Sequence, residues 1–192
     1  VSTLIQVSNI AGRIARDTSS ALDRAYPEPF GQGEEDEDSE ALLDDWRREP
    51  SHCVRAGRSG YVRRVNVAAI VDAIECDGAR IHVAVAPGDF VGDLDVVVEI
   101  WPQRAAVDRA KVRRNLVIGD ERDLDQDASF GVRQLTDVEL RALSPGINDP
   151  TTAVTCIRYI GAILERLASR ALPPHIRRFD DAQQWVAEGQ PF

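Results

Sequence analysis

The chain reads as an α+β protein, a small β-rich module of barrel or sandwich type packed with a helical part. Three observations predict this. Apolar residues toward both ends of the sequence recur at spacings of three and four, the period of an amphipathic helix. The stretch from 52 to 101 instead alternates apolar with polar residues or runs through consecutive valines, between turns rich in glycine and proline. An acidic, glycine-containing segment separates the first helix from the strands.

Residues 2 to 26 are expected to form one long helix. Leu4, Val7, Ala11, Ile14, Thr18, Ala21 and Ala25 fall on one stripe, the pattern of a helix packing along a partner. That partner is either the body of its own domain or a second helix in a stalk or intersubunit contact. Tyr26-Pro27-Glu28-Pro29 stops it, because proline excludes the preceding residue from helical geometry. The domain boundaries follow: an N-terminal helix at 1–29, an acidic mobile linker at 30–50, a β-rich module at 51–102, a helical part at 103–175 and a loosely held tail at 176–192.

Within the linker, residues 34 to 45 hold Glu34, Glu35, Asp36, Glu37, Asp38, Glu40, Asp44 and Asp45, eight negative charges with no base among them. Like charges beside glycine cannot collapse into a core, which predicts a solvated, mobile loop. The run lacks the ligand spacing and turn glycine of an EF-hand. It also accounts for almost all of the net charge of −9. The rest of the chain is close to neutral, which excludes the basic surface that nucleic-acid binding needs.

The strand signals come next. Val54 leads into a turn at Gly57–Gly60, and Tyr61 to Val65 form a second strand. Val67 to Cys76 suit a short helix with Asn66 as N-cap. Ile81, Val83 and Val85 alternate with His82 and Ala84, a half-buried strand that points His82 to solvent. Val96, Val97, Val98 and Ile100 are nearly continuous, which predicts burial on both faces. A helix over 104–114, a short strand at 116–118 and two long helices complete the chain. In the first of these (129–143) Val132, Leu135, Val138 and Ala142 should face inward. In the second (150–169) the inward residues should be Ala153, Ile157, Ile160, Leu164 and Leu167.

A chain of 192 residues buries roughly 70% of the surface its unfolded form exposes and needs no staple. Cys53, Cys76 and Cys156 are odd in number and widely spaced, so no disulfide framework or redox pair is expected. His52, Cys53, Cys76, His82, Cys156 and His175 are too scattered for a zinc site. No nucleophile elbow or phosphate loop occurs. The reading is of a protein without cofactor or metal, and non-enzymatic. The absence of any methionine further suggests that Val1 is not a natural start and that the chain is a fragment.

One segment is denser in polar groups than its surroundings. Ser144, Asn148, Asp149, Thr151 and Thr152 lie between the two long helices, beside Pro145, Gly146 and Pro150. Asp149 can cap the second helix with Pro150 at its first position, and Pro145-Gly146 suits a type II turn. Just upstream Arg133, Asp137 and Arg141 follow at i, i+4 and i+8. Together these eight residues are the candidate ligand-binding set: either an anion or polar molecule binds at the helix N-terminus, or they build a rigid corner and an ion-pair ladder.

The stretch from Phe130 to Leu167, FGVRQLTDVELRALSPGINDPTTAVTCIRYIGAILERL, resembles the signature region of a family of predicted bacterial membrane proteins, domain-of-unknown-function family 2254. The segment Ile5-Gln6-Val7-Ser8 with the helix after it matches the same pattern. So does Ser59-Gly60-Tyr61-Val62 paired with Pro87-Gly88-Asp89-Phe90-Val91. The resemblance implies membrane helices upstream of Val1, with helix 2–26 continuing the last, more helix beyond Phe192, and a cytoplasmic place for this domain of an inner-membrane protein. It supplies no activity and no catalytic residue. A weaker likeness is to biotinyl- and lipoyl-type barrels, but the only lysine, Lys111, lies outside the strands, so a swinging arm is excluded.

The leading expectation is therefore a soluble regulatory or assembly domain of a multi-spanning bacterial membrane protein. Its partners would be the transmembrane portion of its own chain and a second copy joined through residues 2–26, with no nucleic acid. The alternatives are a small-ligand, anion-binding or enzymatic site around 141–152, and a periplasmic adaptor-like barrel.

Overall fold

The computed structural model of the chain describes residues 2–26, 39–171, 176–179 and 184–188. Helix α1 spans Ser2–Ala25 and a short α2 spans Ser39–Trp46. Strands β1 (His52–Arg55) and β2 (Gly60–Val65) follow, then α3 (Val67–Val71), β3 (Ile74–Glu75), β4 (Arg80–Val83), β5 (Phe90–Val91), β6 (Val96–Trp101) and β7 (Ala106–Val107). Next come α4 (Arg109–Arg114), β8 (Leu116–Gly119), α5 (Ala128–Ala142), α6 (Pro150–Ala168), β9 (Ile176–Phe179) and β10 (Gln184–Glu188). The α+β class is as the sequence predicts. The described strands form three open sheets, with orders β1-β6-β4-β10-β9, β5-β2-β8 and β3-β7, and no closed barrel.

The chain divides into two compact units, each built from separated segments. The helical unit comprises Val1–Gly33 and Asp123–Pro173, and the β-rich unit comprises Glu34–Arg122 and Pro174–Phe192. Residues 103–122 thus belong with the strands, not with the helical part to which the sequence boundaries assigned them.

In the helical unit, α1, α5 and α6 pack on one another. The core is Ala11, Ile14, Ala15, Ala21, Leu22, Tyr26, Ala128, Leu135, Cys156 and Ile163. Small residues set the spacing. A Cβ on Gly131 of α5 would stand 1.8 Å from the Thr18 hydroxyl of α1, so only glycine permits this approach. Thr18 is fully buried and donates to the Ile14 carbonyl at 2.7 Å, which satisfies its hydroxyl within its own helix. Ala11, Ile14, Thr18 and Ala21 of the predicted stripe are all buried within this unit; the side chains of Leu4 and Val7 lie outside the described residues. Asp23 ties α1 to the end of α6, accepting from Arg166 at 2.5 and 2.8 Å and from Arg170 at 2.8 Å. The Arg166 guanidinium holds its carboxyl below the ordinary value of 3.8.

On α6 the predicted inner face is rotated. Ala153 is buried, and Ile160 and Leu167 pack against the core, but Ile157 and Leu164 are about half exposed. Thr152, Cys156 and Ile163 take the inner positions instead. The helix carries more apolar residues than one face can bury, so periodicity alone did not select the stripe that meets α1 and α5.

The β-rich unit is centred on β6 and β4, whose registers place Val54 opposite Val98 and Ile81 opposite Ile100. Of the continuous run, Val97, Val98 and Ile100 are buried as predicted and Val96 is half-buried; Trp101 beyond it is buried as well. His82 is a correction: it is only 7% exposed, and its Nδ1 lies 3.0 Å from a Glu99 carboxylate oxygen. The reason is topological. β10 joins β4 in parallel, with Val186 beside Ile81, which turns a presumed half-exposed strand into a central one.

The tail after His175 was expected to be loose. Its described residues form β9 and β10, two strands of the five-stranded sheet. Part of the expected linker is also ordered as α2, whose Leu43 and Trp46 are buried with Trp101 and Ile176. The Trp46 and Trp101 rings stand 6.0 Å apart, and the Trp101 indole N–H donates to the Glu49 carbonyl at 3.0 Å. The acidic run from Glu34 to Asp38, and both proline stops, lie outside the described residues.

The helix expected over Val67 to Cys76 ends at Val71, and Ile74–Glu75 pairs with Ala106–Val107 instead. Asn66 does cap α3, accepting from the Ala69 amide at 3.2 Å. The helix expected from Arg104 starts only at Arg109, because Asp108 is its cap and accepts from the Lys111 amide at 2.9 Å. At Gly60, φ is +151° and a Cβ would meet the Gly119 carbonyl oxygen at 2.6 Å, which explains glycine where β2 adjoins β8.

Candidate functional site

The polar segment singled out by sequence is the corner between α5 and α6. The amides of Ile147 and Asn148 donate to the Ser144 carbonyl at 3.0 and 2.9 Å, and the Asp149 amide donates to the Ala142 carbonyl at 2.8 Å. Asn148 adopts a φ of +46°, a left-handed conformation that asparagine tolerates better than most residues. Gly146 has no positive φ. The turn is therefore not of type II as predicted, because Asn148 rather than Gly146 makes the left-handed step.

Asp149 is the N-cap of α6, with Pro150 at the start of the helix, as predicted. Its carboxylate accepts from the Thr152 amide at 3.1 Å and from the Thr152 hydroxyl. The hydrogen bonds from the Thr152 hydroxyl and amide, with a further one from the Thr151 amide, hold its carboxyl below the ordinary value of 3.8. Ser144 donates its hydroxyl to the Arg141 carbonyl at 2.7 Å. Of the eight candidate residues, Ser144, Asp149 and Thr152 are thus engaged in building the corner. Arg141, Asn148 and Thr151 are exposed around it.

Arg133 and Asp137 are exposed on α5, and among the described residues no ion pair joins Arg133, Asp137 and Arg141. The expected ladder is not formed. Cys156, the nearest thiol on α6, is buried, and burial together with the Glu139 carboxylate pushes its pKa up, the opposite of an activated nucleophile. Among the described residues no group of His, Cys, Asp and Glu could hold a metal. A cavity of about 310 Å³ occurs in the β-rich unit, lined by Asp72, Glu75, Ala106, Asp108 and Lys111 among others, and includes none of the candidate residues.

A second feature of the same two helices escaped the sequence reading. Leu140 and Leu143 of the α5 end, Ile147 of the corner, and Val154, Ile157 and Leu164 of α6 are all exposed. α1 meets α5 at Gly131 and α6 at Gly12–Tyr159. At 3.6 residues per turn, Leu140 lies roughly half a turn around α5 from Gly131. Val154, Ile157, Gly161 and Leu164 lie roughly 140–220° around α6 from Tyr159 by the same geometry. The helical pair therefore presents a second apolar face, away from α1. The signal in the sequence was the surplus of apolar residues on α6, which contains two interleaved stripes at helical spacing.

The chain matches the family described as "Predicted membrane protein (DUF2254)" over residues 1–190. Uncharacterized proteins of Mycobacterium bovis and Mycobacterium tuberculosis are 31% identical to it over 182 residues, which is 91% of this chain and 34% of each relative. The chain thus spans about a third of the length of these curated relatives. No solved structure matches it. Among the described residues no helix is long and apolar enough to cross a membrane. By the extent of the match, which takes in the 144–152 corner and all three long helices, the chain belongs to the DUF2254 family of predicted membrane proteins.

Proposed function

We propose that this chain is the soluble, extramembrane domain of a multi-spanning bacterial inner-membrane protein, and that it serves regulation or assembly, not catalysis. One observation carries the reading: a chain belonging throughout to a family of predicted membrane proteins has, among its described residues, no helix able to cross a bilayer. The membrane spans would then reside in the two-thirds of the relatives' length that the chain does not cover. On this reading α1 continues the last span into the cytoplasm, and the domain's partners are the transmembrane part of its own chain and further copies. A helical unit with a surplus apolar face suits contact with protein better than turnover of a substrate. The ligand-binding alternative is weaker, since Ser144, Asp149 and Thr152 are committed to the corner's own hydrogen bonds.

The test is topology in a full-length mycobacterial relative. A fluorescent reporter fused at the position matching Phe192 should be bright and a phosphatase reporter inactive. An active phosphatase would overturn the cytoplasmic placement. Recovery of the full-length protein free of membranes would overturn the membrane reading altogether.

A further inference from the structure

We propose that the outer face of α5 and α6 is where two copies of this chain meet, in a twofold, antiparallel pairing of their α6 helices around Gly161. The proposal rests on the assembly reading above and names its surface and partner. The first argument is area. Leu140 is 62% exposed, and Leu143, Ile147, Val154, Ile157 and Leu164 each leave about half their surface in water. Summed over the α5 end, the corner and α6, these side chains expose on the order of 500 Å² of apolar surface, as much as the largest patch of a typical monomer. A stable protein interface buries roughly 800 Å² per partner, so the polar residues beside the α6 stripe must supply the remainder of the contact.

The second argument is the placement of charge. Arg158 and Glu165 flank the α6 stripe, both are exposed, and among the described residues neither forms an ion pair. In an antiparallel pair of identical helices crossing at Gly161, positions before the crossing in one copy face positions after it in the other. Arg158 of one copy then stands across from Glu165 of the other, twice, while Ile157 meets Leu164. A twofold contact must be complementary to itself in this way. A membrane surface would instead favour a rim of uniform basic charge. This rim alternates: Arg133 and Asp137 on α5, Arg158 and Glu165 on α6.

Gly161 itself is exposed and has nothing within 4 Å of where a Cβ would stand. Within the single chain the helix has no need of glycine there, whereas a second helix crossing closely would need it.

The experiment is sedimentation of the 192-residue chain across micromolar concentrations, with its variants. The expected result is a rise from 21.2 kDa toward twice that mass. Ile157→Asp and Gly161→Arg should each weaken dimerisation about tenfold or more, as expected of substitutions at an interface centre, with unchanged circular dichroism and, for Gly161→Arg, no loss of monomer melting temperature. Arg158→Glu and Glu165→Arg should each weaken it, and the double exchange should restore it. A chain that stays monomeric at every concentration would overturn the proposal. So would dimers indifferent to Ile157→Asp and Gly161→Arg, or dimers lost only with Val7→Glu on α1. Binding of the monomer to anionic vesicles through this face would assign it to lipid and also overturn it. A monomeric domain in a relative with the expected topology refutes the pairing alone; an unexpected topology with an intact dimer refutes only the placement.

Discussion

The two units of this chain handle their apolar residues differently. The β-rich unit buries Val54, Val62, Ile70, Ile81, Val83, Val97, Val98 and Ile100 almost completely, and among its described residues the exposed large apolar side chains, Leu42, Phe90, Leu94 and Val117, are spread over four separate elements or turns. The helical unit packs around small side chains, Ala11, Ala15, Ala21, Ala128 and Cys156, and leaves larger Leu, Ile and Val residues of α5, α6 and their corner in water. A sheet buried on both faces uses β-branched residues efficiently, because neighbouring strands cover each side chain. Three helices brought close by glycine and alanine have a narrow interior, and the residues that do not fit must lie outside. Among the described residues, one unit thus encloses its large apolar side chains, whereas the other leaves several of them on one helical pair and its corner.

The largest effect should come from hollowing the finished core. Ile81→Ala removes a fully buried side chain and should destabilise the β-rich unit by about 2–5 kcal/mol, seen as a lower denaturation midpoint. Ile157→Ala, the same truncation on the exposed face, should change monomer stability by less than about 0.5 kcal/mol. Equal effects at the two positions would break the comparison.

Glycine offers the next contrast. Gly131→Ala places a methyl against Thr18 and should destabilise the helical unit by about 1–3 kcal/mol, as overpacking does. Gly161→Ala should raise the melting temperature of the monomer, since alanine in an exposed helix is favoured by roughly 0.5–1 kcal/mol. The two substitutions, identical in chemistry, should have opposite signs in thermal melts followed by circular dichroism.

A smaller effect is expected at the cap of α5. The buried Asp127 accepts from the Phe130 amide at 3.0 Å and the Ser129 hydroxyl at 2.7 Å. Asp127→Ala should cost about 1 kcal/mol and Asp127→Asn less, measured by chemical denaturation. The smallest is a pH effect in the helical unit. Asp23 and Asp149 have folded pKa values below the ordinary 3.8. Their contribution is fully present above 3.8 and is lost as the pH falls through the lowered folded values. Below pH 3.8 the wild-type chain should therefore lose helical stability more steeply than the Asp23→Asn, Asp149→Asn double variant.

Much of the local structure was legible from residue types. Asn66 and Asp149 cap the helices they were expected to cap, and Pro150 opens α6. The valine run of β6 is buried on both faces. Misreadings arose where a distant segment changed the environment. His82 was assigned to solvent because the alternation around it is that of a half-buried strand, yet β10, a hundred residues later, covers its other edge. Leu43 and Trp46 were hidden in an acidic segment whose charge dominated the reading, although their spacing of three is helical. At the corner the cap was legible, but the turn type was not, because either Gly146 or Asn148 could supply the left-handed step.

The sequence by itself determined the α+β class, the long helices, the caps and the family. These depend on short-range chemistry: a side chain reaching an amide two or three residues away, or the period at which apolar residues recur. Only the tertiary structure decided which stripe of α6 turns inward, which residues complete the central sheet, and that the helical unit is left with an uncovered apolar face. Those outcomes depend on which surfaces are removed from water by segments far along the chain, and Gly131, by letting α1 approach α5 so closely, settles which face of the helical pair that is.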